Sequence, residues 1–438
     1  MIAISTKCGQ YVVASGLRWA WSTKVIHSRH GRRPSQQSSP ALVPPNSRVA
    51  VIEAMRIDIV YFEAASGHKT AAEAVRYGLS KRHPDWTVRL VDLADILKCQ
   101  TYSLYFIYTW GIRYFNWCMR RESYFFFTTG IRLCILFARL NTCWRPLRFL
   151  LRWTAEFWHD APPDAVISVT PMKHTIVYEA ARCVNPDVCC ITIPVDYDEM
   201  TPGYWFQPAV KQFYLLGYKG LESLALAAGV PTSDIRNLSG MIVDPRFYEL
   251  ADLDGKREEI LNSLGLDPKL ATGLISFGGQ GTVNVLRSVK RIAAARIPLN
   301  LICLCGTNKQ LLEAVCCEAT PYPVVALEFN TTPPVTVHRI AQFLIGKPGT
   351  MTLTEALITE TPLIFVKSRE LNVVHGGNEA WILDQGIGVM VDDPDSVDVA
   401  VQRVLECREI RERIAANRHT GIFDALDAIE DILKIPVA

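Results

Sequence analysis

The sequence predicts an α/β protein made of two doubly wound domains, each a mostly parallel sheet covered by helices. The chain has 438 residues, which is too long for one ordinary core and favours two domains of roughly 200 residues each. Short apolar runs alternate with helix-length segments along most of the chain, as in repeated βαβ units. Turns rich in small residues follow the opening strand of each half, where such sheets bind their ligands.

The composition describes a globular protein, with 49% hydrophobic and 21% charged residues. The 13 cysteines are odd in number and lack metal-type spacing, so we expect reduced thiols in a cytosolic protein. No uninterrupted apolar run reaches the roughly 18 residues that a spanning helix needs. We therefore expect a chain that can lie on a membrane without crossing it.

Charge is divided unevenly along the chain. Residues 1–240 contain 27 Lys and Arg against 18 Asp and Glu, whereas the remainder has 19 against 26. A basic half should meet an anionic partner, either a membrane surface or nucleic acid. Because no RNA-type aromatic motif or glycine-interleaved basic run appears, we predict an anionic membrane surface and no nucleic acid.

The first 54 residues do not resemble the start of this fold. They contain no acid before Glu53, and a Pro/Ser/Gln-rich tract extends from Arg33 to Ser47. The segment is predicted to be a disordered extension, with a mis-called start or a targeting peptide as alternatives. The first good strand follows Met55.

A βαβ unit opens the first domain. The buried strand Arg56–Phe62 leads through small residues to Gly67 and His68, and a helix then extends to about Lys81. A histidine at the carboxyl end of the first strand faces the crevice where these sheets bind ligands. His68 is therefore a candidate catalytic residue, the alternative being a helix-start residue without chemistry.

An aromatic and basic segment follows between Tyr102 and Trp158. It holds many aromatic residues and eight arginines but only the acids Glu122 and Glu156. Aromatic rings beside basic heads suit the lipid headgroup layer. Ordinary core helices with exposed arginines are the alternative. The candidate membrane and acceptor residues are Trp110, Arg113, Trp117, Arg120 and Arg121.

The second domain begins with a strand, Thr272–Phe277, and a glycine-rich turn. Glycine lets the backbone approach a phosphate where a Cβ would clash. The candidate nucleotide-binding residues of this turn are Gly278, Gly279, Gln280 and Gly281. A long helix from Val283 to Ala295 follows the turn.

A second turn of this type follows the apolar run Ile340–Ile345. It carries Lys347 and Gly349, and a helix then starts with Thr350 or Thr352 as its predicted N-cap. Unpaired N–H groups at a helix start favour an anion such as a diphosphate. Glu355 could accept hydrogen bonds from two vicinal hydroxyls.

The stretch Gly349–Glu355, followed by a predicted loop containing Gly377 and Asn378, resembles the donor-site signature of glycosyltransferase family 28. Residues 66–68 resemble the family's opening Gly-Gly-His loop, and residues 163–171 its Pro-Asp-x-Val-Val-Ser-x-x-Pro segment. The resemblance implies the GT-B architecture, in which two Rossmann-like domains face a central cleft.

The resemblance also implies roles for individual residues. Glu355 would hold the ribose of UDP and Phe329 the uracil, while His375 and Asn378 fall where the family faces the sugar. Asp196, at the end of the strand Val188–Ile193, corresponds to an acid near the acceptor, with Asp198 as an equal alternative.

We therefore expect an inverting transferase that moves a hexose from UDP-glucose or UDP-galactose to a membrane lipid hydroxyl, with diacylglycerol as the expected acceptor. His68 would act as the base, and Asp196 as a base or as its orienting group. No Asp-x-Asp metal motif stands out, so we expect no metal and no cofactor. The expected location is cytoplasmic, on the inner face of the cell membrane. The predicted units are residues 55–243, 244–410 and 411–438, the last packing back on the first domain.

Two alternatives remain open. A UDP-N-acetylglucosamine 2-epimerase shares the two-domain plan but does not need the aromatic and basic segment. A degenerate family member would bind nucleotide or lipid without turnover. Val374 and His375 occupy positions where the family usually has a polar pair, which keeps this second alternative open.

Overall fold

The computed structural model of the protein describes most of the chain after Met55. The described residues are 2–4, 12–13, 55–63, 67–100, 102–121, 126, 129–130, 148–172, 174–199, 202–249, 255–328, 334–367 and 372–434. Two short strands come first, β1 (Ile2–Ile4) and β2 (Val12–Val13). The remainder of the predicted extension lies outside the described residues, as does Phe329.

The first domain is a six-stranded parallel sheet in the order β4-β3-β5-β6-β7-β8. Its strands are β3 (Arg56–Tyr61), β4 (Thr87–Asp92), β5 (Ala165–Ser168), β6 (Cys189–Thr192), β7 (Phe213–Leu216) and β8 (Ile235–Asn237). Its helices are α1 (Gly67–Arg82), α2 (Leu93–Gln100), α3 (Tyr102–Arg121), α4 (Arg148–Glu156), α5 (His174–Val184) and α6 (Lys219–Ala227). Strand order reverses between β3 and β5, which opens a crevice at their carboxyl ends.

The second domain has a sheet in the order β14-β13-β12-β9-β10-β11-β1-β2. Its own strands, all parallel, are β9 (Ala271–Ser276), β10 (Leu299–Leu304), β11 (Val324–Leu327), β12 (Phe343–Gly346), β13 (Leu363–Val366) and β14 (Gly388–Val391). Here the order reverses between β9 and β12. The strand β1 pairs antiparallel with β11 at the edge of this sheet.

Helices cover both faces of the second sheet and complete the chain. They are α7 (Arg257–Ser263), α8 (Asn284–Ala294), α9 (Lys309–Cys317), α10 (Pro334–Ile340), α11 (Thr350–Ile358), α12 (Asn372–Gln385), α13 (Val397–Glu406), α14 (Arg408–Ala416) and α15 (Gly421–Leu433). The strands between them are nearly continuous buried apolar runs, as expected for sheets covered on both faces.

The terminal helix α15 packs on helix α1 of the first domain. Gly78 leaves room for Leu426, because a Cβ at that glycine would lie 2.5 Å from a methyl carbon of the leucine. At the rim of this contact Arg82 forms ion pairs with Asp427 and Glu430. Helix α15 therefore lies against the first domain.

Within the described ranges, no helix has both the length and the apolar character that a membrane crossing requires. The longest helix of the first domain, α3, has 20 residues but includes three arginines. The same ranges contain no group of three or more His, Cys, Asp or Glu side chains arranged to hold a metal ion.

Candidate functional site

His68 lies at the crevice of the first domain. Strand β3 ends at Tyr61 and helix α1 begins at Gly67, which places His68 over the end of β5. Its Nδ1 donates a hydrogen bond of 2.7 Å to the carbonyl oxygen of Val169. A carbonyl can only accept, so the proton is on Nδ1 and Nε2 keeps its lone pair. Burial lowers the pKa of this imidazole to about 4, against the opposing effect of the Val169 bond, so it is neutral at pH 7.

Asp196 lies on the same side of the interdomain region as His68, which we call the first-domain wall. Burial raises its pKa to about 7, although the indole N–H of Trp205 donates to the carboxylate over 3.2 Å. The Trp205 ring lies 6.2 Å from the His68 ring, between centroids. Asp198, the alternative from sequence, is exposed and accepts a hydrogen bond from the backbone of the next residue. Trp205 therefore connects Asp196 with His68.

The opposite side, the second-domain wall, includes the glycine-rich turn after β9. Gly278 and Gly281 both have positive φ, 91° and 67°, which favours glycine at both positions. The turn is closed by a hydrogen bond of 3.1 Å from the N–H of Gly281 to the carbonyl of Gly278. Gly278, Gly279 and Gln280 are partly exposed and Gly281 is buried, so the turn presents backbone at the crevice of the second domain.

Lys347, which sequence reasoning left out of the site, connects this turn to the one after β12. A Cβ at Gly278 would lie 3.1 Å from Cε of Lys347 and 3.4 Å from its Nζ. Burial lowers the pKa of this amine to about 8. The sequence does contain a signal that could have identified Lys347, namely a lysine directly after a buried strand. The carboxyl end of this strand lies where the strand order of the sheet reverses.

The predicted N-cap of helix α11 is wrong. The N-cap is Gly349, and no side chain caps the helix; Thr350 and Thr352 are its first and third residues. Threonine was favoured because its hydroxyl often caps, but the Thr350 hydroxyl instead accepts a hydrogen bond from Asn378 over 3.1 Å. The first N–H groups of α11 therefore have no side-chain cap.

Glu355 lies one turn further along α11 and is partly exposed. Its side chain is 15% exposed, and its carboxylate lies 3.3 Å from Nε2 of the buried His338 on helix α10. Nothing in the sequence pairs these two residues, because the contact joins separate helices. Glu355 therefore lies next to helix α10.

The predicted loop carrying Asn378 is also wrong, because residues 372–385 form helix α12. Gly376 and Gly377 suggested a loop, but Gly377 packs so closely on the first domain that a Cβ would lie 2.5 Å from Cβ of Asp198. Asn378 is buried and donates to the carbonyl of Pro348 over 2.7 Å as well as to Thr350. It supports the turn after β12. His375 belongs to the same helix, and its side chain lies outside the described part.

The two walls meet at several contacts. Gly67, beside His68, lies opposite helix α11, since a Cβ there would be 3.8 Å from Cγ of Met351. The centroids of the Tyr197 and Trp381 rings are 4.9 Å apart. Asp196, His68 and the start of α11 therefore line one interdomain region.

Comparison with known proteins agrees with this architecture. No protein-family model matches the chain. It is 25% identical over 365 residues to a probable monogalactosyldiacylglycerol synthase 2 of Oryza sativa subsp. japonica, covering 78% of this chain and 71% of that protein. It is 26% identical over 280 residues to a processive diacylglycerol beta-glucosyltransferase of Staphylococcus epidermidis, covering 61% and 68%. The chain resembles glycosyltransferase family 28.

Solved structures confirm the predicted fold. A glycosyltransferase of kitacinnamycin superposes with a TM-score of 0.53 at 15% identity, covering 87% of this chain and 99% of that one. The UDP-GlcNAc 2-epimerase of Neisseria meningitidis, bound to UDP-GlcNAc, gives 0.54 at 13% identity, covering 87% and 100%. The chain has the GT-B fold of two Rossmann-like domains, and its sequence relatives support a glycosyltransferase.

Proposed function

We propose that this protein transfers a hexose from UDP-glucose or UDP-galactose to the hydroxyl of diacylglycerol or a related lipid, with inversion at the anomeric carbon. One observation carries the proposal: a neutral, oriented histidine of the first domain lies beside the uncapped helix start of the second. The acceptor class follows the names of the two relatives. The donor class follows from the glycine turn after β9 and the uncapped helix start after β12, two features that favour a diphosphate.

The chemistry assigns a step to each wall. Nε2 of His68 takes the proton of the lipid hydroxyl as the oxygen attacks the anomeric carbon. The bond from that carbon to the diphosphate breaks, and UDP leaves with the electron pair. Backbone N–H groups of Gly278, Gly279 and the α11 start stabilise the charge that develops on the leaving group. His68 then releases its proton to water.

A transfer assay tests this proposal. Purified protein is incubated with labelled UDP-glucose, UDP-galactose or UDP-N-acetylglucosamine and with anionic liposomes containing diacylglycerol. We expect lipid-linked label. Free UDP together with an altered sugar would support the epimerase class instead, which the shared fold permits. Bound UDP without any product would indicate a degenerate binding protein.

His68 is tested within the same assay. The change His68→Ala removes the base and should lower transfer by about 100- to 10,000-fold. UDP affinity should stay unchanged, because His68 belongs to the domain opposite the nucleotide turns. Full lipid glycosylation by the variant would overturn the assignment of the base.

Membrane contact is proposed for helix α3, at the inner face of the cell membrane. Phe106, Trp110, Arg113 and Trp117 recur at helical spacing and therefore share one face. The exposed fractions of the aromatic residues are 61%, 60% and 46%, and Arg113 is also exposed. Exposed rings beside a cation suit the headgroup layer of an anionic membrane. Arg120 and Arg121 end the helix, and their side chains lie outside the described part.

A liposome sedimentation experiment tests this surface. The double change Trp110→Ala and Trp117→Ala should reduce binding to phosphatidylglycerol vesicles at least tenfold, while the affinity for UDP stays unchanged. Val399→Ala, which shortens an exposed apolar side chain on helix α13, is the matched control. Equal sedimentation of the wild-type and double-variant proteins would reject membrane contact through α3.

A further inference from the structure

Lys347 lies at the switch point of the second sheet, where strand order reverses between β9 and β12. It follows Gly346, the last residue of β12, and its side chain extends to the turn after β9. Cε and Nζ are the two heavy atoms that a Cβ at Gly278 would meet within 4 Å, at 3.1 and 3.4 Å. A Cβ at Gly349 would lie 3.7 Å from the same Cε. The ammonium group therefore lies between the two glycine turns.

The charge of Lys347 has no carboxylate to balance it among the described residues. Burial lowers the pKa of its amine to about 8, and no charged neighbour opposes this shift. Several exposed lysines do have a carboxylate partner: Lys69 pairs with Glu63, Lys81 with Glu249, and Lys367 with Asp392. Removing a cation from water without a counter-charge is unfavourable, so this arrangement is suited to an anion that arrives from outside.

The surroundings of Nζ also match an anion. The Gly278–Gly281 turn presents backbone at the crevice, and the start of α11 carries N–H groups without a side-chain cap. Such groups bind oxyanions well but cannot supply a full positive charge. A lysine amine supplies that charge and can reach two phosphate oxygens at once.

We propose that Lys347 is the ion-pair partner of the diphosphate of the sugar donor and that it stabilises the leaving UDP. This inference rests on the proposed function, and it names a residue that the family signature did not. Breaking the bond to the sugar adds one negative charge to the diphosphate. The ammonium group therefore interacts more strongly with the departing nucleotide than with the intact donor, which lowers the barrier to transfer.

Variants of Lys347 are expected to differ in kcat. Lys347→Met keeps the length of the side chain and removes its charge, so kcat should fall by about 100-fold, the loss typical of one missing electrostatic donor at a developing anion. Lys347→Arg should keep at least one tenth of the wild-type kcat. Lys347→Gln is a second neutral variant in case the methionine variant does not fold. Lys367→Met, on an exposed and paired lysine of the same domain, should behave as wild type.

The deciding experiment is a calorimetric titration of each full-length variant with UDP and with uridine. Lys347→Met and Lys347→Gln should bind UDP at least tenfold more weakly than wild type and bind uridine equally well. Equal UDP affinity in wild type and both neutral variants would overturn the proposal. A parallel loss for uridine would also overturn it, because the side chain would then only maintain the fold.

The same titration separates this proposal from the proposed function. Wild-type protein that binds UDP with the predicted dependence on Lys347, yet transfers no sugar, would overturn the transferase and support the diphosphate site. Wild-type protein that transfers sugar, with unchanged UDP affinity in both neutral variants, would overturn Lys347 alone. Wild-type protein that binds no UDP would overturn both.

Discussion

Nε2 of His338 lies 3.3 Å from a carboxylate oxygen of Glu355. The histidine is buried, its Nδ1 has no hydrogen-bond partner among the residues that the structure describes, and Phe247 packs edge-on against its ring at 5.6 Å between centroids. One oxygen of Glu355 therefore lies beside the buried imidazole on helix α10. The other remains available at the partly exposed side of helix α11, so the acid is positioned before any nucleotide binds.

Glu355→Ala should weaken UDP binding by about 10- to 100-fold, because hydrogen bonds to a charged group contribute roughly 1.5–3 kcal/mol. Calorimetry with UDP measures this. Glu360→Ala, which removes an exposed acid just beyond the same helix, is the control and should bind as wild type. Unchanged affinity in Glu355→Ala would remove the carboxylate from the nucleotide site.

His338 should act only through Glu355, as a positioning residue. His338→Ala alone should lower UDP affinity by about tenfold, since the acid loses the imidazole that lies against it. In the Glu355→Ala background the same change should have no effect on affinity. This double-mutant cycle separates positioning from general destabilisation, because a purely structural His338 would show additive losses.

Much of the architecture is local in sequence and was therefore predictable. Short apolar strands, the small-residue turns after β3 and β9, and the placement of His68 and Glu355 on helices all depend on nearby residues. The details that sequence did not provide depend on contacts between distant segments. Lys347 reaches the turn after β9, and Gly377 lies within a helix at a point where the first domain approaches too closely for a Cβ. Adjacent glycines in a sequence usually indicate a loop, and only the contacts of the folded protein show that these glycines belong to a helix.

A variant of Asn378 tests whether this residue supports the turn after β12 or contacts the sugar. Its amide donates to Pro348 and Thr350, so Asn378→Ala should loosen the turn and weaken UDP and the UDP-sugar by the same factor, about tenfold. Titration with both ligands measures this. A residue that contacted the sugar would instead weaken the UDP-sugar and leave UDP unchanged, and that pattern would contradict the assignment.

Asp196 should reduce the stability of the folded protein at neutral and alkaline pH. Burial raises the pKa of its carboxyl group from 3.8 to about 7. The folded state therefore favours the protonated form, and the stability present below pH 4 is lost as the pH rises towards 7. By linkage, the loss is at most about 4 kcal/mol of unfolding free energy above pH 7.

The change Asp196→Asn removes this titration and leaves an oxygen that can accept the Trp205 hydrogen bond. The variant should therefore be more stable than wild type at pH 8 and gain little at pH 4.5, while losing transfer activity if the acid serves His68. Urea unfolding at both pH values measures the difference. Asp198→Asn, two residues away and exposed, should show a much smaller dependence on pH, because the charge of Asp198 is only the lesser cause of the raised pKa of Asp196. Equal stabilisation of Asp196→Asn at pH 4.5 and pH 8 would show that repacking, and not a buried charge, is the cause.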